Sequence, residues 1–431
     1  MQTDRTVEAG TSSGQGRLSR RWFLGVSGAA LLTAGCKDTE AKGEGTGGKG
    51  ESTGNTSGHR AVVPSGALGA NFNEDPSTMD FSMLEGLSAG WLRGFVPMPQ
   101  LDETAAGQQA AIKALLSAHD KGYGTILSLK FPYNHRPMPA VDSSEMDAEL
   151  ARVDKVLDAA MDKADILALA NEPFIESLKK DHDDGTLNAF YEKVAQHVIA
   201  YRKKHFGKRC RTRLYMGSLN HLDRPDWRTP ATDRWMEFTR KTPEIEGVDI
   251  HPHVAAIEDS QKYLDYILPT LRHDQKFLVT EFSLVLWWEQ HLRDTIPAEF
   301  ARRYQLPADT KVWQVIKQAT ELPFSQAKWQ DFLSMSPWYE THKHYLRNQM
   351  KKFRDTGQLA VATYGVAQAP AMVKDFGPGK QPWLLNSLYS NLTVKEGEDG
   401  KPARSYGFFD DFRALQRAED RRPVRTAETT T

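Results

Sequence analysis

The feature that most constrains the fold is an eightfold repeat of short apolar segments, each followed by a loop and a helical pattern. Apolar runs without strict alternation predict strands that are covered on both faces, as in a parallel sheet. The predicted strands are Ala67–Asn71, Trp91–Val96, Thr125–Lys130, Ile166–Asn171, Leu214–Leu219, Val248–His251, Phe277–Glu281 and Ala360–Tyr364. Eight strand–helix units in succession predict an α/β fold, the (β/α)₈ TIM barrel. An open doubly wound sheet is the alternative, but no glycine-rich phosphate loop follows the first strand.

Apolar residues at helical spacing predict the helices that separate these strands. The predicted helices are Gln108–His119, Met146–Met161, Phe190–His205, Asp233–Thr239, Gln261–Arg272 and Tyr339–Arg354. The regular spacing is broken between the seventh and eighth strands, where residues 284–337 predict a helical insertion. An insertion after a barrel strand lies on the active-site face, so this one is expected to form a wall of a cleft.

The first 36 residues predict export and lipid attachment. Arg20 and Arg21 precede a short apolar stretch, residues 25–34, that is too short to span a bilayer as a stable helix. The stretch ends in small residues followed by Cys36, the residue that would be acylated after cleavage. An ordinary secretory signal with an incidental cysteine is the alternative. We expect twin-arginine export and a lipid anchor at Cys36, which places the protein at the cell envelope, outside the cytoplasmic membrane.

The rest of the chain divides by composition. Residues 37–60 are rich in Gly, Ser, Thr, Lys and Glu and contain no aromatic residue, which predicts a disordered linker. Residues 61–422 are long enough for one barrel domain, and residues 423–431 are expected to form a disordered tail. The formal net charge of −1 argues against nucleic acid as a partner. A monomer is expected, held to the membrane only by its lipid.

Two predicted strands end on a glutamate. Asn171-Glu172-Pro173 closes the fourth strand, and Thr280-Glu281 closes the seventh. A carboxylate is costly to bury, so at the end of an apolar strand it has either a partner or a function. A carboxylate pair is the minimum equipment for cleaving a glycosidic bond. The alternative is that each glutamate is structural and paired with a basic residue at the barrel rim.

With its glutamates on strands four and seven, the chain resembles clan A of the retaining glycoside hydrolases, the 4/7 superfamily. The resemblance implies that Glu172 is the acid/base and Glu281 the nucleophile. It also implies that Asn171 binds the sugar 2-hydroxyl and that Arg93 binds the nucleophile. His253 follows strand six, where the family often has a tyrosine or a histidine, more usually a tyrosine, that is hydrogen-bonded to the nucleophile.

The mechanism implied by this resemblance is double displacement without a cofactor. Glu172 would be protonated in the free enzyme, because an apolar strand and a nearby negative charge both raise the pKa of a carboxyl group. Arg93 would keep Glu281 ionised. The two carboxyl groups are expected to lie about 5–5.5 Å apart, the separation typical of retaining enzymes.

Further polar and aromatic residues near strand ends are candidates for sugar contacts. Asn73 follows strand one and Asn220 follows strand five, and Trp288 lies in the insertion. Tyr364 ends strand eight, where the family commonly places a tryptophan under the sugar. The chain has ten tryptophans, and aromatic faces suit sugar rings, although most tryptophans lie in protein cores.

Three alternative functions remain open from the sequence. The first is a carbohydrate-binding barrel without catalytic activity. The second is a metal-dependent barrel hydrolase that uses His251 and His253, although the principal expectation includes no metal site. The third is transglycosylation, which shares every residue named above. The sequence leaves the sugar and the linkage open, and it does not separate endo from exo cleavage.

Overall fold

The structure is a computed structural model that describes residues 64–420. The predicted signal peptide with Cys36, the linker 37–60 and the tail 423–431 lie outside the described residues. Within the described part of the chain, none of the helices is long and apolar enough to cross a membrane.

Eight parallel strands close into a barrel in the order of the chain, and the predicted (β/α)₈ TIM-barrel fold is confirmed. The strands are β1 (Ala67–Asn71), β2 (Trp91–Pro97), β3 (Gly124–Lys130), β4 (Ile166–Ala168), β5 (Arg213–Asn220), β6 (Ile245–His251), β7 (Lys276–Val279) and β8 (Leu359–Gly365). Residues Gly69 of β1 and Thr363 of β8 lie in register, so the first strand pairs with the last and closes the barrel.

Helices follow every strand. They are α1 (Phe81–Leu87), α2 (Ala110–Asp120), α3 (Ser144–Ala160), α4 (Lys179–Asp183), α5 (Thr186–His205), α6 (Pro230–Lys241), α7 (Asp259–Ile267), α8 (Val285–Gln290), α9 (Ala298–Arg303), α10 (Val312–Glu321), α11 (Gln326–Met335), α12 (Pro337–Glu340), α13 (Tyr345–Asp355) and α14 (Phe408–Asp420). Helices α8 to α11 occupy the segment that the sequence predicted to be a helical insertion.

Strands β4 and β7 end earlier than the sequence predicted, so Glu172 and Glu281 lie in the loops that follow them. At the end of β7, the Thr280 N–H donates to the side-chain carboxylate of Asp249 in β6, at 3.0 Å, and not to a backbone carbonyl of that strand. At the end of β4, the β5 backbone presses against Ala170. A Cβ at Gly217 would lie 2.0 Å from the Ala170 oxygen, so only glycine allows this approach.

The barrel interior changes from apolar to polar along its axis. Its lower layer is a small apolar cluster that includes Ile126, Ile166, Tyr215, Leu278, Ala360 and Val361. Two residues further toward the carboxyl end of four strands, the inward side chains are polar. They are Arg93, Ser128, Thr280 and Thr363. Alternation in a strand returns to the same face every second residue, so β2, β3, β7 and β8 each carry an apolar residue at the base and a polar residue above it. This polar layer lies directly beneath the two glutamates.

The insertion is packed as part of the main core. Trp329 of α11 is 1% exposed and packs against Phe332, with ring centroids 5.5 Å apart. Phe324 pairs with Val394, which lies in the segment between β8 and α14. The insertion is therefore fixed to the chain that follows the last strand, and it forms one hydrophobic cluster with the barrel.

Candidate active site

Glu172 and Glu281 meet at the carboxyl-terminal face of the barrel. One side-chain oxygen of each lies within 4.8 Å of the other. Their side chains are 21% and 15% exposed, so both reach solvent from largely buried positions. Two carboxylates this close repel each other unless cations or protons compensate their charges. The structure supplies that compensation from β2 and β6.

Arg93 of β2 is fully buried and links both glutamate-bearing loops. Its Nη1 donates to Glu281 Oε1 at 2.5 Å, and its Nη2 donates to Asn171 Oδ1. Longer bonds run from Nε to Ser128 Oγ, at 3.3 Å, and from Nη1 to Asn73 Oδ1, at 3.4 Å. The planar guanidinium holds several acceptors in fixed directions, which a lysine does not. Arg93 thus positions Glu281 and Asn171 together.

Glu172 is held in a strained backbone conformation. Its φ is 47°, in the left-handed region that residues with a side chain rarely adopt. Such strain costs about 1–3 kcal/mol and is concentrated at functional sites. The Glu172 N–H donates to Ser218 Oγ at 3.0 Å, and Asn220 Nδ2 donates to Glu172 Oε1 at 2.8 Å. Both partners lie in β5, which therefore fixes the direction of the Glu172 side chain.

Two further strand ends share this conformation. Asn73, after β1, has φ 55°, and His221, after β5, has φ 53°. Asn73 accepts from Arg93, and His221 packs against Trp227 with ring centroids 4.5 Å apart. Left-handed residues at three strand ends of one barrel face mark that face as the functional one.

His251, the last residue of β6, is fully buried and contacts Glu172. Its Nδ1 lies 3.1 Å from Glu172 Oε1, and its Nε2 lies 2.8 Å from Thr280 Oγ1. Thr280 Oγ1 donates to Asp249 Oδ2. A chain of hydrogen bonds therefore runs from Asp249 through Thr280 and His251 to Glu172.

These contacts correct the expectation that Glu172 is protonated in the free protein. Burial raises the pKa of Glu172, as expected, but the hydrogen bond and the positive charge of His251 outweigh it and hold the pKa below its ordinary value. Burial opposes a charge on His251 too, yet the carboxylates of Glu281, Asp249 and Glu172 raise its pKa to about 9. The sequence placed His251 near the site but did not show that it lies against Glu172.

His253 lies between the two glutamates without a close bond to either. Its Nε2 is 3.8 Å from Glu281 Oε2 and 4.0 Å from Glu172 Oε1, and Nε2 has no hydrogen-bond partner. Its Nδ1 is 2.8 Å from Ser283 Oγ, which fixes the ring. Burial lowers the pKa of His253 to about 3, so the ring is neutral at neutral pH.

Trp383, between β8 and α14, is a site residue that the sequence analysis missed. It is half-buried, and its ring packs edge-on against His253 with centroids 4.9 Å apart. Gln381 accepts from Trp383 Nε1 at 3.1 Å and donates to Glu289 Oε2 at 3.1 Å, which links this segment to α8. Trp383 lies far beyond β8 in the chain, in a loop without periodicity, so no sequence signal identified it.

Two aromatic candidates, Trp288 and Tyr364, are buried in the core. Trp288 is 1% exposed and stacks on Tyr339. Tyr364 is 1% exposed and packs against Phe282, with ring centroids 5.1 Å apart. Neither ring has a face open to a ligand, so we do not retain them as sugar contacts. Trp288 carries the helical spacing of a core residue, and Tyr364 points outward from β8 because strand side chains alternate.

The distances would also admit a metal ion. One atom from each of Glu172, His251, His253 and Glu281 lies within 4.8 Å of the others. However, both ring nitrogens of His251 already have partners, and Glu281 is paired with the Arg93 guanidinium. A cation here would break the bonds of His251 and face a fixed positive charge, so the donor set fits a metal poorly.

Comparison with known proteins gives similarity of structure only. No protein-family model and no curated protein matches the chain. Among solved structures, a beta-glucosidase from Exiguobacterium marinum has 7% sequence identity and a TM-score of 0.46, over 83% of this chain and 98% of that chain. A GH10 xylanase from Bispora has 11% identity and a TM-score of 0.47, over 80% and 95%. A GH30 xylanase from Clostridium acetobutylicum has 12% identity and a TM-score of 0.35, over 81% and 71%. At these identities and TM-scores, the similarities do not assign a reaction or a residue role to this chain.

Proposed function

We propose that this protein is a retaining β-glycosidase that cleaves O-glycosidic bonds by double displacement. The observation that carries the proposal is the carboxylate pair: oxygens of Glu172 and Glu281 lie within 4.8 Å of each other on different strand ends. Retaining glycosidases hold their carboxyl groups about 5–5.5 Å apart, whereas inverting ones need about 6.5–9.5 Å to admit a water. The short separation supports retention.

The two glutamates have environments suited to different roles. Glu281 contacts a fixed guanidinium, which stabilises a negative charge and suits a nucleophile that attacks the anomeric carbon. Glu172 contacts the amide of Asn220 and the ring of His251, and both contacts change when Glu172 gains or loses a proton. In this proposal Glu172 protonates the leaving oxygen and then removes a proton from the incoming water.

Asn171 and Trp383 complete the proposed sugar site. The Asn171 carbonyl oxygen accepts from Arg93, which leaves the amide nitrogen as the end available to a sugar hydroxyl. Trp383 is partly exposed beside His253, and its ring offers an apolar face to a sugar. Asn73 and Asn220 contribute through Arg93 and Glu172, because each bonds one of those groups.

Activity of the wild type and Glu172→Ala on polysaccharides and aryl β-glycosides tests the proposal. The wild type is expected to hydrolyse at least one substrate, and the variant to lose about 10²–10⁴-fold with a poor leaving group. Azide should restore the variant and yield a β-glycosyl azide. Glu246→Ala is the control, because Glu246 is also a partly buried glutamate with a basic partner, Arg213, but lies at the amino-terminal end of β6. A wild type that binds a glycan without turnover would instead identify a carbohydrate-binding barrel.

The same assay separates the remaining alternatives. Activity that a chelator abolishes and zinc restores would identify the metal-dependent hydrolase. Products longer than the substrate would identify transglycosylation. For its location, we propose from the sequence that the protein is exported and lipid-anchored at Cys36.

A further inference from the structure

His251 contacts the proposed acid/base, and the double-displacement scheme gives it no task. It is 0% exposed and lies between Glu172 and Thr280, with one ring nitrogen directed at each. Burying an imidazole costs free energy that its hydrogen bonds must offset, so the two bonds of His251 indicate a defined role for the ring.

The hydrogen bonds fix where the protons of this chain lie. A hydroxyl group has one hydrogen, and that of Thr280 is donated to Asp249. Thr280 Oγ1 therefore accepts from His251, so Nε2 carries a hydrogen. Asp249 accepts the Thr280 N–H as well, at 3.0 Å, as expected for a carboxylate. Thr280, which lies on the side of the ring away from Glu172, therefore determines that Nε2 is protonated.

The other ring nitrogen then shares a hydrogen with Glu172. Nδ1 and Glu172 Oε1 are 3.1 Å apart, a hydrogen-bond distance, so one hydrogen lies between two atoms that can each hold it. The same oxygen accepts from Asn220 at 2.8 Å. With the hydrogen on His251, this oxygen accepts from two N–H groups, as a carboxylate oxygen does, and the carboxylates around the ring favour that position.

Resting on the proposed function, we infer that Glu172 and His251 act as a pair that holds a single catalytic proton, stored on His251 and passed through Glu172 to the leaving oxygen. The Nδ1–H bond breaks and its electron pair stays on nitrogen, while a bond from the proton to Glu172 forms. The Glu172 O–H bond then breaks as the glycosidic oxygen takes the proton and its bond to the anomeric carbon breaks. In the second step Glu172 accepts a proton from water and returns it to His251 Nδ1. His251 is thus a positioning residue that acts through Glu172.

The charges around His251 support storage of a proton there. The groups that act on its ring are the carboxylates of Glu281 at the end of β7, Asp249 within β6 and Glu172 at the end of β4. His253 lies beside it, with ring centroids 5.9 Å apart, and the charges of Arg93 and His221 act on His253. The three carboxylates outweigh the cost of burying a charged ring, and burial keeps His253 neutral at neutral pH. A proton is therefore favoured at His251, in agreement with the raised pKa of its ring.

The first test compares the pH dependence of kcat/KM for the wild type and His251→Asn. Activity needs the one-proton form of the pair, so the basic limb reports loss of that proton. In the variant Glu172 must hold the proton alone, and the limb should fall by about two pH units or more. A 2,4-dinitrophenyl glycoside, which leaves without protonation, should lose far less than an alkyl glycoside. An unmoved basic limb, or equal losses on both substrates, would overturn the inference.

Thr280 provides a matched pair of variants that leaves the imidazole in place. Thr280→Val removes the hydroxyl that accepts from Nε2, and Thr280→Ser keeps it. The valine variant should lower the basic limb, whereas the serine variant should stay near the wild type. If the basic limbs of the two variants fall at the same pH, the hydroxyl of Thr280 and its bond to Asp249 do not help to hold the proton on His251.

A readout without turnover separates this inference from the proposed function. Nitrogen chemical shifts of histidine-labelled protein should show both His251 nitrogens protonated at pH 7, and Glu172→Gln should lower the pKa of the ring. A protonated ring in a protein that hydrolyses no glycoside would refute the glycosidase and keep the shared proton. A neutral His251 ring in an active retaining enzyme would refute the shared proton and keep the glycosidase.

Discussion

At the scale of single residues, Arg93 determines the site more than either glutamate does. It is the buried group that bonds Glu281 and Asn171 at once, from a strand that carries neither. Arg93 lies two residues after Trp91 in β2, so strand alternation places both side chains on the same face. That much can be read from the sequence. The partners of Arg93 are side chains from four other strands or the loops that follow them, and only the closed barrel brings them together.

Replacing Arg93 with lysine tests this role. A single ammonium on a flexible stem does not hold Glu281 and Asn171 in fixed directions, so kcat should fall about 10²-fold with a smaller change in KM. Arg213→Lys is the control, since Arg213 of β5 pairs with Glu246 at the opposite end of the barrel. Steady-state kinetics of both variants decide the matter. A kcat for Arg93→Lys close to that of the control would contradict the role.

His253 predicts a pH dependence of stability. Its pKa is about 3 in the folded protein and about 6.5 in an unfolded chain. Because the unfolded state binds the proton first, His253 reduces stability as pH falls below about 6.5, by about 2 kcal/mol at pH 5. His253→Asn should therefore lose less unfolding free energy than the wild type between pH 7.5 and pH 5, measured by urea denaturation. Exposed His273 gives the control variant, His273→Asn. Equal losses in all three proteins would refute this assignment.

Trp383 predicts a binding effect. Removing its ring with Trp383→Ala should raise KM by about tenfold, because an aromatic contact is worth on the order of 1 kcal/mol, and should change kcat less. Trp227→Ala is the comparison, since Trp227 is also partly buried and packs on a histidine, His221, of the same face. If Trp383→Ala leaves KM unchanged, the ring is not a sugar contact.

At the scale of elements, strand order was predictable from the sequence and loop geometry was not. Uninterrupted apolar runs, such as residues 166–170, are enough to identify strands, and the order of closure follows from the fold. The ends of β4 and β7 were placed too late, because Asp249 and Gly217 change the local pairing through contacts distant in the chain. The contact of His251 with Glu172 and the place of Trp383 depend on the same kind of distant contact.

The insertion predicts an effect on stability. Trp329→Ala should lower the unfolding free energy by about 3–5 kcal/mol, because the side chain is 1% exposed within the core shared with the barrel. Trp313 is only partly buried, so Trp313→Ala should cost clearly less. Thermal and urea unfolding of both variants measure the difference. Equal, small effects would mean that the insertion folds independently of the barrel.

At the scale of the whole molecule, the barrel separates a stable base from a reactive face. Apolar residues fill the lower interior, and the polar layer with both glutamates lies at the carboxyl-terminal ends of the strands. The described part of the chain contains one cysteine, Cys210, and the sequence contains one other, Cys36. The proposed anchor at Cys36 can therefore be tested without changing the barrel.

Cys36→Ser should move the protein from the membrane pellet to the soluble fraction of expressing cells, because the acylated thiol is removed. Cys210→Ser keeps the anchor and should remain in the pellet. Fractionation followed by immunoblotting measures the distribution. If both variants sediment like the wild type, the proposed lipid attachment is wrong.

Trapping a covalent glycosyl-enzyme is the decisive test of double displacement. A 2-deoxy-2-fluoro glycoside of the hydrolysed sugar, with a good leaving group, should form the glycosyl-enzyme quickly and release it slowly. Peptide mass spectrometry should then find one added sugar on the peptide that contains Glu281. A label on another residue, or turnover with inversion and no labelled peptide, would contradict the double-displacement account.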